Sequence, residues 1–152
     1  MKSNRAFTMA ELMVVILVVG ILAAAAMPLM SGRIESSKWS EAKATMDTIA
    51  VALRAYAAEK GTFTSAPSLA TIGITESELD GVYFSHEAYG IASASAANGQ
   101  ASFVIICAAA NSTRSGKPTY PAVMALTCNA ANNYTATFAE KSGRSGTPTA
   151  RR

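Results

Sequence analysis

Residues 7–30 have the sequence FTMAELMVVILVVGILAAAAMPLM, in which Glu11 is the only charged residue. As an α-helix with a rise of about 1.5 Å per residue, this stretch would be roughly 36 Å long. The hydrocarbon core of a membrane is about 30 Å thick, so such a helix is long enough to cross it. The sequence therefore predicts a transmembrane helix over residues 7–30.

Glu11 lies about one turn inside this apolar segment. An ionised carboxylate inside a bilayer costs about 2.5–3.5 kcal/mol even on insertion scales, and more on other estimates. Intramembrane acids therefore pair with another group and usually have a function. We expect Glu11 to need a cationic partner.

A short leader, MKSNRA at residues 1–6, precedes the apolar segment and contains two basic residues and no acid. A secretory signal is normally cut after its hydrophobic region, where the nearest candidate is the alanine run at 24–26. Here the small residue Ala6 instead stands before that region. Cleavage between Ala6 and Phe7 would retain the helix and create an amine that could neutralise Glu11 of another copy.

The segment from Ala6 to Leu12, followed by the apolar run and Pro28, resembles the N-terminus of type IV pilins and of type II secretion pseudopilins. The resemblance implies that a prepilin peptidase cuts before Phe7 and that Phe7 is then N-methylated. It also implies that Glu11 directs assembly into a filament.

Gly20 and Pro28 fall at the positions where filaments of this family often have a locally unwound helix. Two residues differ from the usual pattern: Ala6 replaces Gly before the cut, and Ala10 replaces a common Ile. The specific resemblance covers residues 1–30, and beyond them the family is recognised by its architecture. The implied partners are further copies of the chain, the prepilin peptidase/methyltransferase and the inner-membrane assembly platform.

The two cysteines, Cys107 and Cys128, lie in the part of the chain that the basic leader places outside the cytoplasm. In an oxidising compartment such a pair is most simply a disulfide, which would stabilise the fold by about 3 kcal/mol. The resemblance implies the same, because many pilins have a C-terminal disulfide loop. Free buried thiols are the alternative.

After Pro28 the chain becomes amphipathic. Apolar residues recur at spacings of three and four, which places them on one face of a helix, and Gly61 is a natural stop. We expect one helix over residues 7–60, with two helices divided at Pro28 as the alternative. The predicted apolar stripe contains Trp39, Ala42, Met46, Ile49, Leu53 and Tyr56.

Beyond the helix the sequence predicts a small sheet. Thr75 and Glu78 have the spacing of a capping box at the start of a short helix, and Asn98-Gly99 is a strong hairpin signal. Short segments rich in β-branched and aromatic residues predict strands over 82–84, 88–92, 101–107 and 135–138, with another candidate at 121–128.

The predicted fold is therefore α+β, with a long N-terminal helix packed against an antiparallel sheet. Its expected divisions are a leader (1–6), a transmembrane or filament-core helix (7–30), an amphipathic helix with a globular head (31–140) and a flexible tail (141–152). The 152 residues carry a net charge of +3, or about +1 without the leader. So small a charge does not favour an acidic partner.

Catalytic and metal-binding patterns are weak. The chain has one histidine, His86, and two widely spaced cysteines, which do not make a zinc site. We expect no enzyme activity, no metal and no cofactor. A DNA-attracting patch is conceivable but not expected, since basic residues on a loop and tail are usually solvated; its members would be Arg114, Lys117, Lys141, Arg144, Arg151 and Arg152, with Tyr120 nearby to stack on a base.

The expected function is that of a structural pilin, which polymerises into a type IV pilus for adhesion, motility or DNA uptake. The precursor would cross the bacterial inner membrane once, and the product would lie in an extracellular pilus or a periplasmic pseudopilus. The alternative within the family is a pseudopilin that drives protein export. A calcium-binding head would favour that alternative, and no calcium loop is recognisable in the sequence. The alternative from another class is a membrane-anchored binding domain that never polymerises.

Overall fold

The computed structural model describes residues 8–141, with the side chains at positions 27–29 and 31 excepted. The described chain forms two compact units, one ending at Ser36 and the other beginning at Ser37. This division lies within the first helix. The first unit is helical, and the second contains the rest of that helix and the head.

Helix α1 runs from Met9 to Lys60 as one element of 52 residues. The prediction of a single helix is therefore confirmed over its described part, and the alternative of two helices divided at Pro28 is wrong. A proline inside a helix removes one backbone donor, but the backbone hydrogen bonds on either side of it can keep the helix continuous. The helix ends before Gly61, whose φ of 73° suits a residue without a Cβ.

The second half of α1 buries one face, as its spacing predicts. Trp39, Met46, Ile49 and Leu53 are each at most 1% exposed. Tyr56 was expected to end this stripe but is only half-buried, and Ala57 occupies the innermost position instead. Burying each large apolar side chain stabilises the head by about 1.5–3 kcal/mol.

Four antiparallel strands form a sheet in the order β1-β2-β3-β4. The strands are β1 (Tyr89–Ala97), β2 (Gln100–Ala108), β3 (Val123–Cys128) and β4 (Thr137–Lys141). The predicted α+β class is confirmed. Asn98 and Gly99 join β1 to β2 with φ values of 54° and 76°, the left-handed backbone that a tight hairpin needs.

β4 begins and ends later than predicted and includes Lys141, which had been assigned to the tail. The other tail residues, 142–152, lie outside the described part of the chain. One side of β2 and β3 joins the buried face of α1 in a single core; that side contains Phe103, Ile105, Cys107, Met124, Leu126 and Cys128.

The predicted strand at 82–84 is wrong. The backbone N–H groups of Val82, Tyr83 and Phe84 donate to the carboxylate of Glu41 on α1, at 3.0–3.1 Å. Their donors therefore serve a helix side chain and are not available to a neighbouring strand. A Cβ on Gly81 would collide with the same carboxylate, which explains the glycine at this position.

Short helical segments complete the head. Helix α2 (Glu76–Leu79) is capped by Thr75, whose N–H and hydroxyl both donate to the Glu78 carboxylate. The predicted capping box is confirmed. Four single 3₁₀ turns cover Ala70–Ile72, His86–Ala88, Ala109–Asn111 and Ala130–Asn132.

Candidate functional site

The start of α1 is organised by a second capping box. The Glu11 carboxylate accepts hydrogen bonds from the N–H and the hydroxyl of Thr8, at 2.9 and 2.8 Å. The Glu11 N–H in turn points to the Thr8 hydroxyl at 3.3 Å. This arrangement satisfies backbone donors that a helix start otherwise leaves free. Within one chain, Glu11 is thus already held by two neutral donors.

From the sequence, Glu11 was expected only to need a cationic partner, and the capping role of Thr8 was not predicted. The Thr-x-x-Glu spacing before an apolar run was the signal that would have found it. The predicted cleavage residues, Ala6 and Phe7, lie outside the described residues. The pairing of the Phe7 amine with Glu11 of another copy therefore stays a prediction.

The helix that follows is apolar on every side. Met9–Ala26 is long and apolar enough to cross a membrane, with a mean hydropathy of 2.6 over 18 residues, none of them buried. Large apolar side chains, which the core of a soluble protein would bury, are exposed here. Met13, Ile16, Leu17 and Leu22 are each more than 60% exposed. Helices that are hydrophobic all round are buried in a large core or in a membrane.

Gly20 lies within this helix and has no atom near the place where a Cβ would be. The helix is regular in backbone at both Gly20 and Pro28. Local unwinding at these two residues was expected in the filament and stays a prediction for that state.

The predicted disulfide between Cys107 and Cys128 is wrong for this structure, in which both cysteines are buried and free. They lie on neighbouring strands, but Cys107 is opposite Met124 and Cys128 is opposite Phe103. That offset of four positions separates them by about 13 Å along the strands at about 3.3 Å per residue. A disulfide needs Cα atoms within about 7 Å.

The two thiols have different surroundings. Burial, with a smaller contribution from the Glu41 carboxylate, raises the pKa of Cys107 to about 12. The Cys128 sulfur lies 3.2 Å from the carbonyl oxygen of Tyr134. Because the thiolate is the reactive form, Cys107 is expected to be inert in the folded head.

His86 lies in a cluster of charged side chains at the surface of the head. Its Nδ1 is 3.2 Å from Asp80 Oδ1, and its backbone N–H donates to the same oxygen at 2.9 Å. The other Asp80 oxygen is 3.4 Å from an Arg114 guanidinium nitrogen. Glu76 and Glu87 each place a carboxylate oxygen 3.9 Å from His86 Nε2.

His86 also borders a groove of about 470 Å³, with Leu69, Ile74 and Leu79 among its lining residues. Within residues 8–141, no group of three or more His, Cys, Asp or Glu side chains is arranged to hold a metal ion.

The basic residues of the β2–β3 loop have partners within the head. Lys117 Nζ donates to the carbonyl oxygens of Ala110 and Ser112, at 3.1 and 2.6 Å. Arg114 pairs with Asp80. Of the remaining members of the conceivable DNA patch, Arg144, Arg151 and Arg152 lie outside the described residues.

Comparison with known proteins adds one finding at the N-terminus. Residues 1–27 match the family model of the prokaryotic N-terminal methylation motif. No curated protein sequence matches the chain. The motif is the mark of a structural family rather than of an enzyme family, and it implies processing by a prepilin peptidase and assembly in a membrane context.

The matched residues contain the Thr8–Glu11 box, the whole apolar segment Met9–Ala26 and the predicted cut site. The chain therefore carries the N-terminal signature of the type IV pilins and pseudopilins.

Proposed function

We propose that this chain is a structural subunit of a type IV pilus, assembled after cleavage between Ala6 and Phe7. The observation that carries the proposal is the methylation motif at residues 1–27, together with a helical segment, Met9–Ala26, in which no residue is buried. Such a helix requires lipid before assembly and other apolar helices afterwards.

In the proposed mechanism, the same helix serves first as an anchor in the inner membrane and then as part of the filament core. Cleavage frees the Phe7 amine, which pairs with Glu11 of a neighbouring subunit and sets the axial register. The Thr8 hydrogen bonds supply two neutral donors to that carboxylate before its partner arrives. The free-energy cost of moving a carboxylate out of water is smaller when the carboxylate accepts hydrogen bonds from the protein.

The test is the fate of the N-terminus and of the filament in the same cells. Mass spectrometry of the mature chain is expected to find N-methyl-Phe7 as the first residue. Electron microscopy of the sheared surface fraction, with peptide identification, is expected to find filaments made of this chain. A chain that keeps Met1 and stays monomeric in the membrane would overturn the proposal in favour of an anchored binding domain.

The second candidate is a pseudopilin of type II secretion, which uses the same N-terminal chemistry. Its filament would stay in the periplasm, and its deletion would block the export of folded proteins. Surface filaments with unaffected protein export support the pilus, and the reverse pattern supports the pseudopilus.

A further inference from the structure

Two segments far apart in sequence are joined on the surface of the head by two layers of contacts. The first segment, residues 75–88, is the connector that contains α2 and the turn at His86–Ala88. The second, residues 109–122, is the β2–β3 loop. The two layers differ in burial and in chemistry, so pH acts on them differently.

The inner layer is neutral. Ser112 Oγ accepts from the Ser85 N–H at 3.1 Å and donates to the Tyr83 carbonyl at 3.1 Å. The Thr113 N–H donates to Ser85 Oγ at 3.0 Å. Ser85 and Ser112 are only 3% and 2% exposed. These hydroxyl groups do not titrate between about pH 4 and 9, so any change of this layer with pH in that range comes from the charged groups around it.

The outer layer is charged and exposed. Asp80 of the connector joins His86 to Arg114 of the loop, since each contacts a different oxygen of its carboxylate. Glu87 accepts a hydrogen bond from Ser85 Oγ at 2.6 Å and lies 3.4 Å from the Thr113 hydroxyl. Glu76 of α2 faces His86 from the other side. One imidazole is thus surrounded by three carboxylates.

We propose that the His86 cluster is a pH-dependent tie that holds the β2–β3 loop on the connector in mildly acidic solution and loosens as His86 loses its proton. The device is independent of the filament proposal, since every group in it belongs to the head. In this tie His86 is a positioning residue that contacts Asp80 and Glu87 of the connector. These two acids in turn contact Arg114 and Thr113 of the loop.

The direction in which the stability of the tie changes with pH follows from the pKa of each group. The hydrogen bond to Asp80, aided by Glu87 and Glu76, raises the pKa of His86 above 6.5. Its stabilisation is therefore complete below pH 6.5 and disappears as the pH rises through the higher folded value.

The acids behave in the opposite sense. Hydrogen bonds from His86 lower the pKa of Asp80 below 3.8, and the Ser85 hydroxyl lowers the pKa of Glu87 below 4.5. Their stabilisation is present above these ordinary values and disappears as the pH falls through the lower folded ones. The tie is consequently tightest from about pH 4.5 to 6.5.

The experiment uses the full chain in detergent micelles. Because His86 is the only histidine, ¹⁵N-histidine labelling gives one imidazole whose titration NMR can follow without assignment. In the same samples, hydrogen exchange of the Thr113 and Arg114 amides is measured and corrected for intrinsic exchange rates. The resulting protection reports how firmly the loop is held on the connector. Both amides donate to hydroxyl oxygens of the inner layer.

The expected result is a His86 pKa above 6.5 and a loss of protection at both amides as the pH rises through it. In Asp80→Asn the His86 pKa is expected to fall toward 6.5. In His86→Gln the protection is expected to be low and independent of pH over the same range. Glu59→Gln, at an exposed carboxylate beside Lys60, is the matched control and is expected to behave as wild type.

A His86 pKa at or below 6.5 would overturn the proposal. So would amide protection in His86→Gln that follows pH as it does in the wild-type chain, because the titrating group would then lie elsewhere. Unchanged protection across the His86 titration would have the same consequence.

Discussion

Glu11 accepts two hydrogen bonds from Thr8, one from its backbone N–H at 2.9 Å and one from its hydroxyl at 2.8 Å. The residue that caps the start of the helix therefore also holds the acid expected to direct assembly. In the proposed mechanism, capping and assembly thus share one carboxylate. In a bilayer this matters more than in water, because no solvent replaces a lost donor.

The first prediction concerns this pair. Glu11→Ala is expected to leave the chain folded and membrane-inserted but nearly free of filaments, because both the cap and the counter-charge are lost. Thr8→Val keeps the side-chain shape and loses only the hydroxyl; it is expected to lower filament yield less, since a lost cap costs about 0.5–2 kcal/mol. Quantifying sheared filaments against membrane-bound subunit measures both effects. Wild-type filament yield in Glu11→Ala would contradict the assembly role.

The second prediction concerns Glu41 and the turn after Gly81. Glu41→Ala leaves three backbone N–H groups without their acceptor, at about 1–3 kcal/mol for each group that stays dry. The melting temperature of the head is expected to fall clearly. Gly81→Ala is expected to do the same, because its Cβ displaces the carboxylate. Thermal unfolding followed by near-ultraviolet circular dichroism measures both, with Glu59→Ala as an exposed control. Equal melting temperatures of Glu41→Ala and that control would show that these three hydrogen bonds to Glu41 do not stabilise the head.

The third prediction concerns the cysteines. Chain purified from membranes without reductant, then unfolded in an alkylating agent, is expected to gain two adducts by mass. In the folded head Cys107 is expected to react very slowly at pH 8, because its pKa is about 12. A sample reduced before unfolding gives the reference mass. Absence of adducts in the unreduced sample alone would show a disulfide, and with it a different register of β2 on β3.

The fourth prediction concerns the hairpin at Asn98-Gly99. Gly99 has a φ of 76°, so Gly99→Ala is expected to destabilise the head by about 1–2 kcal/mol. Gly90 lies in β1 with only ordinary contact to Ile106 at the place of a Cβ. Gly90→Ala is the matched control and is expected to be neutral or slightly stabilising. Denaturant unfolding compares the two variants, and equal losses would argue against the left-handed turn.

Much of the fold follows from local patterns. The single long helix, its buried stripe, the capping box at Thr75 and the hairpin at Asn98-Gly99 were all predicted, because each depends on residues close together in sequence. The segment at 82–84 has strand composition but not strand pairing. Its donors go to Glu41, some 41 to 43 positions away, and no local pattern encodes such a partner.

The candidate site divides in the same way. Hydrophobicity and charge within the first 30 residues suffice to predict a membrane-spanning helix with an acid near its start, since lipid selects on composition along a continuous segment. Whether Cys107 meets Cys128, and whether Arg114 faces solvent or Asp80, depends on strand register and loop packing. Register and loop packing depend on which residues, far apart in the sequence, come together in the folded core. Local sequence patterns therefore do not predict these contacts.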